Sequence, residues 1–391
     1  MPERLYRADP FLASFQAATT DIREISRKQG RSLWQIALDR TAFYPTGGGQ
    51  PCDAGALTAI SPGGATLDVP VLQVEEDEGG EIWHTTSKPL PAGTVVQGRI
   101  DWRRRFDHMQ QHSGQHLLSA IFRRELAAPT LSFHLGDTSS TVDLGIDRGR
   151  LSGEQVRAVE EEANRVIAEN RPVGARTLPR SEAELLLASG ALSKLPDRDG
   201  LIRLIEIENL DLNACGGTHV RATGQIAGLT IRGAESVRHG VRVEFLCGLR
   251  MVAAARRDLE DLGRAAAALS VGRAQTPEAV ERLQAERRAL QKEGQRLLGE
   301  LAEVRAARLA EEPLVDGLRL VRRVYPAESA AGLKLLVSRL IAAAPRTCAL
   351  LASTAEEPAR LVMARSRGLP IDCGAALRRA NVGSHPGAVG L

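Results

Sequence analysis

The stretch Met109-Gln110-Gln111-His112-Ser113-Gly114-Gln115-His116-Leu117-Leu118-Ser119 carries two histidines inside a helical pattern. Met109, His112, His116, Leu117, Ala120 and Ile121 recur at helix spacing across residues 106–125. The His112-x-x-x-His116 spacing stacks both imidazoles on one face, a turn apart, where they can reach the same metal ion. Further along, Asn213-Ala214-Cys215-Gly216-Gly217-Thr218-His219 sets a thiolate and a third imidazole on either side of a glycine pair. The glycines let the backbone fold so that both side chains face one point. Three imidazoles and one thiolate suit tetrahedral Zn²⁺. Four protein ligands close the shell of a structural ion, whereas a catalytic ion keeps a position for water, and the residues leave both readings open.

Around these half-sites the pattern is α+β. Residues 153–169 form a charged helix before Pro172, and strand-like runs follow at Leu201–Ile207, Gly228–Ile231 and Val241–Leu246. We therefore expect a metal-binding α+β domain over residues 99–249. Before it, Leu33–Leu38, the glycine-rich Tyr44–Pro51 and Val69–Val74 alternate apolar runs with turn residues, which predicts a compact β-barrel over residues 1–98. After it, Thr276-Pro277-Glu278 reads as a helix start with a capping hydroxyl. Leu283, Leu290, Leu297 and Val304 then recur every seven residues as a coiled-coil seam. In the second seam position Val280 and Leu301 fit but Arg287 and Gly294 do not, which favours an antiparallel helical hairpin over residues 250–311 rather than a long parallel dimer coil. Residues 312–391 alternate strand-like and helical stretches, a small α/β domain whose tail, Asn381–Leu391, is expected to be loosely held.

Composition narrows the function classes. The 391 residues are 43% hydrophobic and 25% charged, which excludes global disorder. A net charge of +3 is too mild for a histone-like or strongly membrane-attracted protein, although a local basic face can still meet nucleic acid. With 7 Phe, 3 Trp and 3 Tyr, modules that stack several bases on exposed rings are disfavoured. Lys28, Lys88, Lys194, Lys292 and Lys334 are the lysines and all other basic residues are arginines, a bias that suits phosphate contacts but also follows from a GC-rich genome. Cys52, Cys215, Cys247, Cys348 and Cys373 form no C-x-x-C pair, so a reducing, cytoplasmic setting is expected. No stretch approaches the ~20 apolar residues that span a bilayer, and Met1–Ala17 lacks a signal-peptide core.

The two metal half-sites resemble those of the free-standing alanyl-tRNA editing proteins of the AlaX type, which are similar to the editing domain of alanyl-tRNA synthetase. Thr41-Ala42-Phe43-Tyr44-Pro45-Thr46-Gly47-Gly48-Gly49-Gln50-Pro51-x-Asp53-x-Gly55 is similar to that family's glycine-rich motif, and Ser132-Phe133-His134-Leu135-Gly136 to the strand facing its pocket. The likeness covers about residues 5–250, and residues 250–391 resemble the family's long form. There Asn381-Val382-Gly383-Ser384-His385-Pro386 replaces the expected glycine-rich ending.

The resemblance implies zinc-dependent hydrolysis of the ester between serine, or glycine, and the terminal ribose of mischarged alanine-specific tRNA. It implies zinc ligation by His112, His116, Cys215 and His219. His134 is the candidate for orienting water or acting as base, because imidazole titrates near neutral pH. Thr41 is the candidate for reading the serine hydroxyl. Gly47, Gly48, Gly49 and Gln50 are candidates for the terminal adenosine or its phosphate, and the run Arg99, Arg103, Arg104 and Arg105 for tRNA phosphates. Each of these also has a plain structural reading. The editing-like region starts within the first few residues, so aminoacyl-tRNA ligase activity is not expected. A homodimer through the C-terminal region, a non-catalytic tRNA-binding module with structural zinc, and editing in another system such as threonine complete the expectations.

Overall fold

The computed structural model describes residues 1–28, 31–60, 64–146, 150–197 and 200–380. It is a mixed α+β chain that divides into two compact units, Met1–Glu260 and Asp261–Leu391. The first contains six barrel strands: β1 (Ser14–Lys28), β2 (Arg31–Leu38), β3 (Gly55–Ile60), β4 (Thr66–Glu76), β5 (Ile82–Thr86) and β6 (Val95–Ile100). They close into a barrel in the order β1-β2-β5-β4-β3-β6, which leaves the sheet without an open edge. Alternation places Val96 and Ile100 of β6 inside, beside Phe15, Ile36 and Leu57. On β4 the inward residues are Val69, Val71 and Val74, and the change of phase coincides with a register shift between Val71 and Gln73.

Asp101 then caps helix α1 (Trp102–Leu126), its carboxylate accepting from the Arg104 backbone N–H. Met109, Leu117, Leu118, Ile121 and Phe122 of α1 enter a core shared with α2 (Gly153–Ala168) and the antiparallel strands β7 (Thr130–Leu135) and β8 (Ser140–Leu144). A second three-stranded sheet, β9 (Val173–Pro179), β10 (Leu201–Ile207) and β11 (Asp211–Ala214), has helix α3 (Arg180–Ala188) between its first two strands. Strands β12 (Leu229–Val237) and β13 (Gly240–Cys247) complete the sheet order β12-β13-β8-β7.

Unusually for a helix, α1 is buried on its polar positions too. Polar groups in such a place need partners. Gln111 exchanges two hydrogen bonds with the backbone of Cys247, at 2.9 and 3.0 Å. Arg105, fully buried, meets Asp53 at 2.5 Å and donates to the Pro10 and Ala42 carbonyls. The expectation that Arg105 meets phosphate is thus corrected: its guanidinium straps α1 to the loop before β3.

Helix α4 (Gly248–Ala268) ends inside the second unit, where a 3₁₀ turn at Arg273–Gln275 leads straight into α5 (Thr276–Ala310). Because that turn is already helical, Gln275 occupies the cap position and Thr276, expected to cap, sits inside the helix. Ala302 and Ala306 of α5 pack on Leu333 and Val337 of α6 (Ala330–Ala343). Behind them lie β14 (Arg319–Tyr325), β15 (Thr347–Ser353) and β16 (Arg360–Arg365), with β14 parallel and β16 antiparallel to β15, before α7 (Cys373–Ala380). The expected seam residues Leu283, Leu290, Leu297 and Val304 are exposed in this chain, Leu290 by 72%. The tail Asn381–Leu391 lies outside the described residues. No helix among those described is long and apolar enough to cross a membrane.

Asp53 and Arg105 form a wholly buried pair, so removing one charge strands the other. Asp53→Asn is expected to lower unfolding stability by about 3–5 kcal/mol, measured by urea denaturation; a change below about 1 kcal/mol would deny the strap its role.

Candidate metal centre and adjoining cleft

His112 and His116 leave α1 on one face, and Cys215 and His219 leave the loop after β11. Their ligand atoms all lie within 4.8 Å of one another. Cys215 Sγ is 3.5 Å from His112 Nε2 and 3.3 Å from His219 Nε2. Bond lengths of about 2.3 Å to sulfur and about 2.05 Å to nitrogen imply a tetrahedral edge of about 3.6 Å, so the donors fit a tetrahedral ion such as zinc.

Each imidazole is held from behind. His112 Nδ1 donates to Gln50 Oε1 at 2.8 Å, which fixes the tautomer and leaves Nε2 as the lone-pair nitrogen. His219 Nδ1 lies 3.2 Å from Ser113 Oγ, and His116 Nδ1 lies 3.5 Å from an Asp211 oxygen. Gln50 also accepts from the Thr218 N–H at 3.1 Å and donates to Thr218 Oγ1 at 2.8 Å, so it clamps the Cys215–His219 loop against α1. Arg203 of β10 donates to the Cys215 and Gly217 carbonyls at 3.0 and 2.8 Å. A Cβ at Gly217 would stand 2.2 Å from His112 Cε1, so the loop passes the ring only as glycine.

The tight turn that delivers Gln50 has positive φ at Gly48 (54°) and Gly49 (79°), with Gly47 and Gln50 exchanging backbone hydrogen bonds. A Cβ at Gly49 would collide with the Phe133 ring, 2.5 Å away. The turn and the metal cluster share a cleft of about 630 Å³ that Gly48, Gly49, Gln115, His116, Phe133 and Cys215 help to line.

The chain matches the family model described as threonyl and alanyl tRNA synthetase second additional domain over residues 202–243, a span that includes Cys215 and His219. It is 35% identical over 300 residues to the alanyl-tRNA editing protein Aarsd1 of Rattus norvegicus, covering 76% of this chain and 69% of that protein. The chain belongs to the alanyl-tRNA editing protein family. The Bos taurus protein of the same name is 36% identical over 299 residues, covering 76% of this chain and 64% of that one. The alanine–tRNA ligase of Pyrococcus furiosus is 36% identical over 310 residues, 77% of this chain but 32% of the ligase's own length.

In this editing-family chain the buried cluster sets its own charge state. Burial raises the Cys215 thiol, but the facing His112 and His219 rings outweigh it and hold the group well below its ordinary value. Burial, reinforced by His112, lowers His219 to about 3. Burial also opposes charge on His116, yet Asp211 and Cys215 reverse this and raise it to about 10. A thiolate and a neutral His219 are the ligand forms a metal needs, and an ion held by these four residues would displace the proton from His116.

The structure redistributes the other expected residues. Gln50, expected at the substrate, is 1% exposed and serves His112 and Thr218 instead. Thr41 is wholly buried in the barrel. His84, lowered to about 4 by burial, gives its Nδ1 proton to the Ile36 carbonyl, so Thr41 donates to His84 Nε2 at 2.9 Å and accepts from the Phe43 N–H. Neither Thr41 nor His134 is among the residues lining the cleft, and His134 is exposed on β7 opposite Thr141. Arg103 is exposed, while Arg104 donates to the Cys52 carbonyl and lies 3.5 Å from Asp137. Ser113, Asp211 and Arg203 were not singled out in the sequence. Only Ser113 carried a signal, its place between the two histidines.

Gln50→Ala is expected to weaken zinc binding by about 10–100-fold, read by competition with a chromophoric chelator. Unchanged affinity would show that Gln50 does not orient His112.

Proposed function

We propose that this chain is a zinc-dependent trans-editing hydrolase that removes serine, or glycine, from mischarged tRNA specific for alanine. The observation that carries the reading is a four-ligand cluster of which two members, His116 and Cys215, line a cleft together with Gly48 and Gly49 of the glycine turn. An aminoacyl ester is already activated, so the site's task is to position water and stabilise the tetrahedral oxyanion. A bound zinc supplies a Lewis acid for the carbonyl or for water. His112, His116, Cys215 and His219 hold it, and Gln50, Ser113 and Asp211 keep the rings aimed. Gly48 and Gly49 would let the acceptor end approach the backbone closely, and Arg103, which is exposed, and Arg104 would meet tRNA phosphates. Thr41 and His134 take no step in it, since neither lines the cleft.

The five free cysteines fit work in a reducing cytoplasm. The exposed leucines of α5 fit a second copy of the chain, which sedimentation of the purified protein would reveal as a dimer.

One observation favours a second reading. Four protein ligands saturate a tetrahedral ion, as structural sites do, and the protein would then bind tRNA without turnover. Zinc-loaded protein is expected to release serine from Ser-tRNA(Ala) and spare Ala-tRNA(Ala), with chelation abolishing release and zinc restoring it. Correctly folded, metal-loaded protein that releases nothing overturns the hydrolase reading. Faster release from a mischarged threonine-system tRNA would move the activity to that system.

A further inference from the structure

Serine and alanine differ by one hydroxyl, and a site rejects the analogue lacking it when a buried polar group is thereby left unpaired. Thr41 is not free for that role, because its proton goes to His84 and its oxygen already accepts from Phe43. The acceptor must therefore be sought on the cleft wall. Ser119 Oγ accepts from Gln115 Nε2 at 2.8 Å and from Thr130 Oγ1 at 2.7 Å. Asp211 is engaged by Arg123, Asn213 and His116. Asn213 Oδ1 accepts from Ser193, and Ser132 donates to Asp143. Five buried side-chain polar atoms among the described residues have no hydrogen-bond partner: His108 Nδ1, Gln115 Oε1, Ser140 Oγ, Arg203 Nε and Thr276 Oγ1. Of these residues only Gln115 lines the cleft.

We propose that Gln115 Oε1 is the acceptor that reads the side-chain hydroxyl of the aminoacyl group, an inference that rests on the editing function proposed above. Gln115 precedes the ligand His116, and both residues line the cleft. The nitrogen end is anchored through Ser119 to Thr130, which fixes the plane of the amide and leaves the oxygen end uncommitted. With 5% of the residue exposed, solvent does not satisfy that oxygen. A serine hydroxyl donates to it; alanine and glycine have nothing to donate.

The test compares wild type with Gln115→Met, which keeps the length and removes the acceptor, and Gln115→Glu, which keeps an acceptor oxygen. Zinc-loaded full-length proteins are assayed on Ser-tRNA(Ala), Gly-tRNA(Ala) and Ala-tRNA(Ala). Gln115→Met is expected to lower kcat/KM on the serine substrate by about 10–100-fold and to change glycine release less than about threefold. Gln115→Glu is expected to retain the serine preference. Equal loss on serine and glycine, or no loss, overturns the inference.

Binding of non-hydrolysable 3′-amide analogues of seryl-, glycyl- and alanyl-adenosine, followed by calorimetry, supplies a readout independent of turnover. A seryl-over-alanyl preference that is present in wild type and lost in Gln115→Met supports the reader, whether or not the ester is cleaved. Absence of that preference in wild type overturns it. Failure to deacylate any substrate while the preference persists counts against the hydrolase and not against Gln115.

Discussion

Helix α1 is buried on its polar positions as well as its apolar ones, and that constraint organises the first unit. A helix with Arg105, Gln111, His112, Ser113 and His116 inside the protein is tenable only if these groups find partners. The partners come from all around: Asp53 from the loop before β3, Gln50 from the glycine turn, Cys247 from β13, and Asp211 and Cys215 from β11 and the loop after it. Satisfying the helix therefore fixes the barrel, the four-stranded sheet and the metal loop around one axis. Two of these contributors line the cleft, the turn through Gly48 and Gly49 and the loop through Cys215 and Gly216.

Much of this was legible where the signal was local. The His112/His116 spacing depends only on helical period and the Cys215–His219 loop only on the chemistry of its donors, and both lie where the sequence places them. The barrel was legible from alternation, because turn residues punctuate each strand. The roles of Gln50, Thr41 and Arg105 were not, because they depend on atoms far away in the chain. Gln50 sits in a glycine-rich turn, where a polar residue reads as a ligand contact, yet its amide completes an imidazole 62 positions later. Thr41 belongs to the same motif but points to His84, inside the barrel. Arg105 ends a basic run that looks solvated; only the capped start of α1 and the position of Asp53 turn it inward.

The second unit shows the same limit from the other side. A heptad of leucines is readable by counting, but the pattern does not name what covers it, and in this chain those leucines are exposed. Instead, α5 uses small residues near its C-terminal end, Ala302 and Ala306, to let α6 approach closely. Two faces of one helix thus do different work, and periodicity detects only the larger side chains.

The family relationship and the geometry together separate two tasks that the sequence motif merges. The cluster takes four donors from the protein and holds them through Gln50, Ser113 and Asp211, so its shape is set before any substrate arrives. In the proposed hydrolysis a centre fixed in that way would act on the carbonyl or on water, groups that seryl and alanyl esters share. It has no means of telling the two side chains apart. Discrimination must then reside in the cleft wall, and it requires a group whose hydrogen bonding is incomplete until the correct side chain enters. In a cleft where Ser119 is engaged by Gln115 and Thr130, and Asp211 by Asn213 and Arg123, an amide anchored at one end and uncommitted at the other meets that requirement.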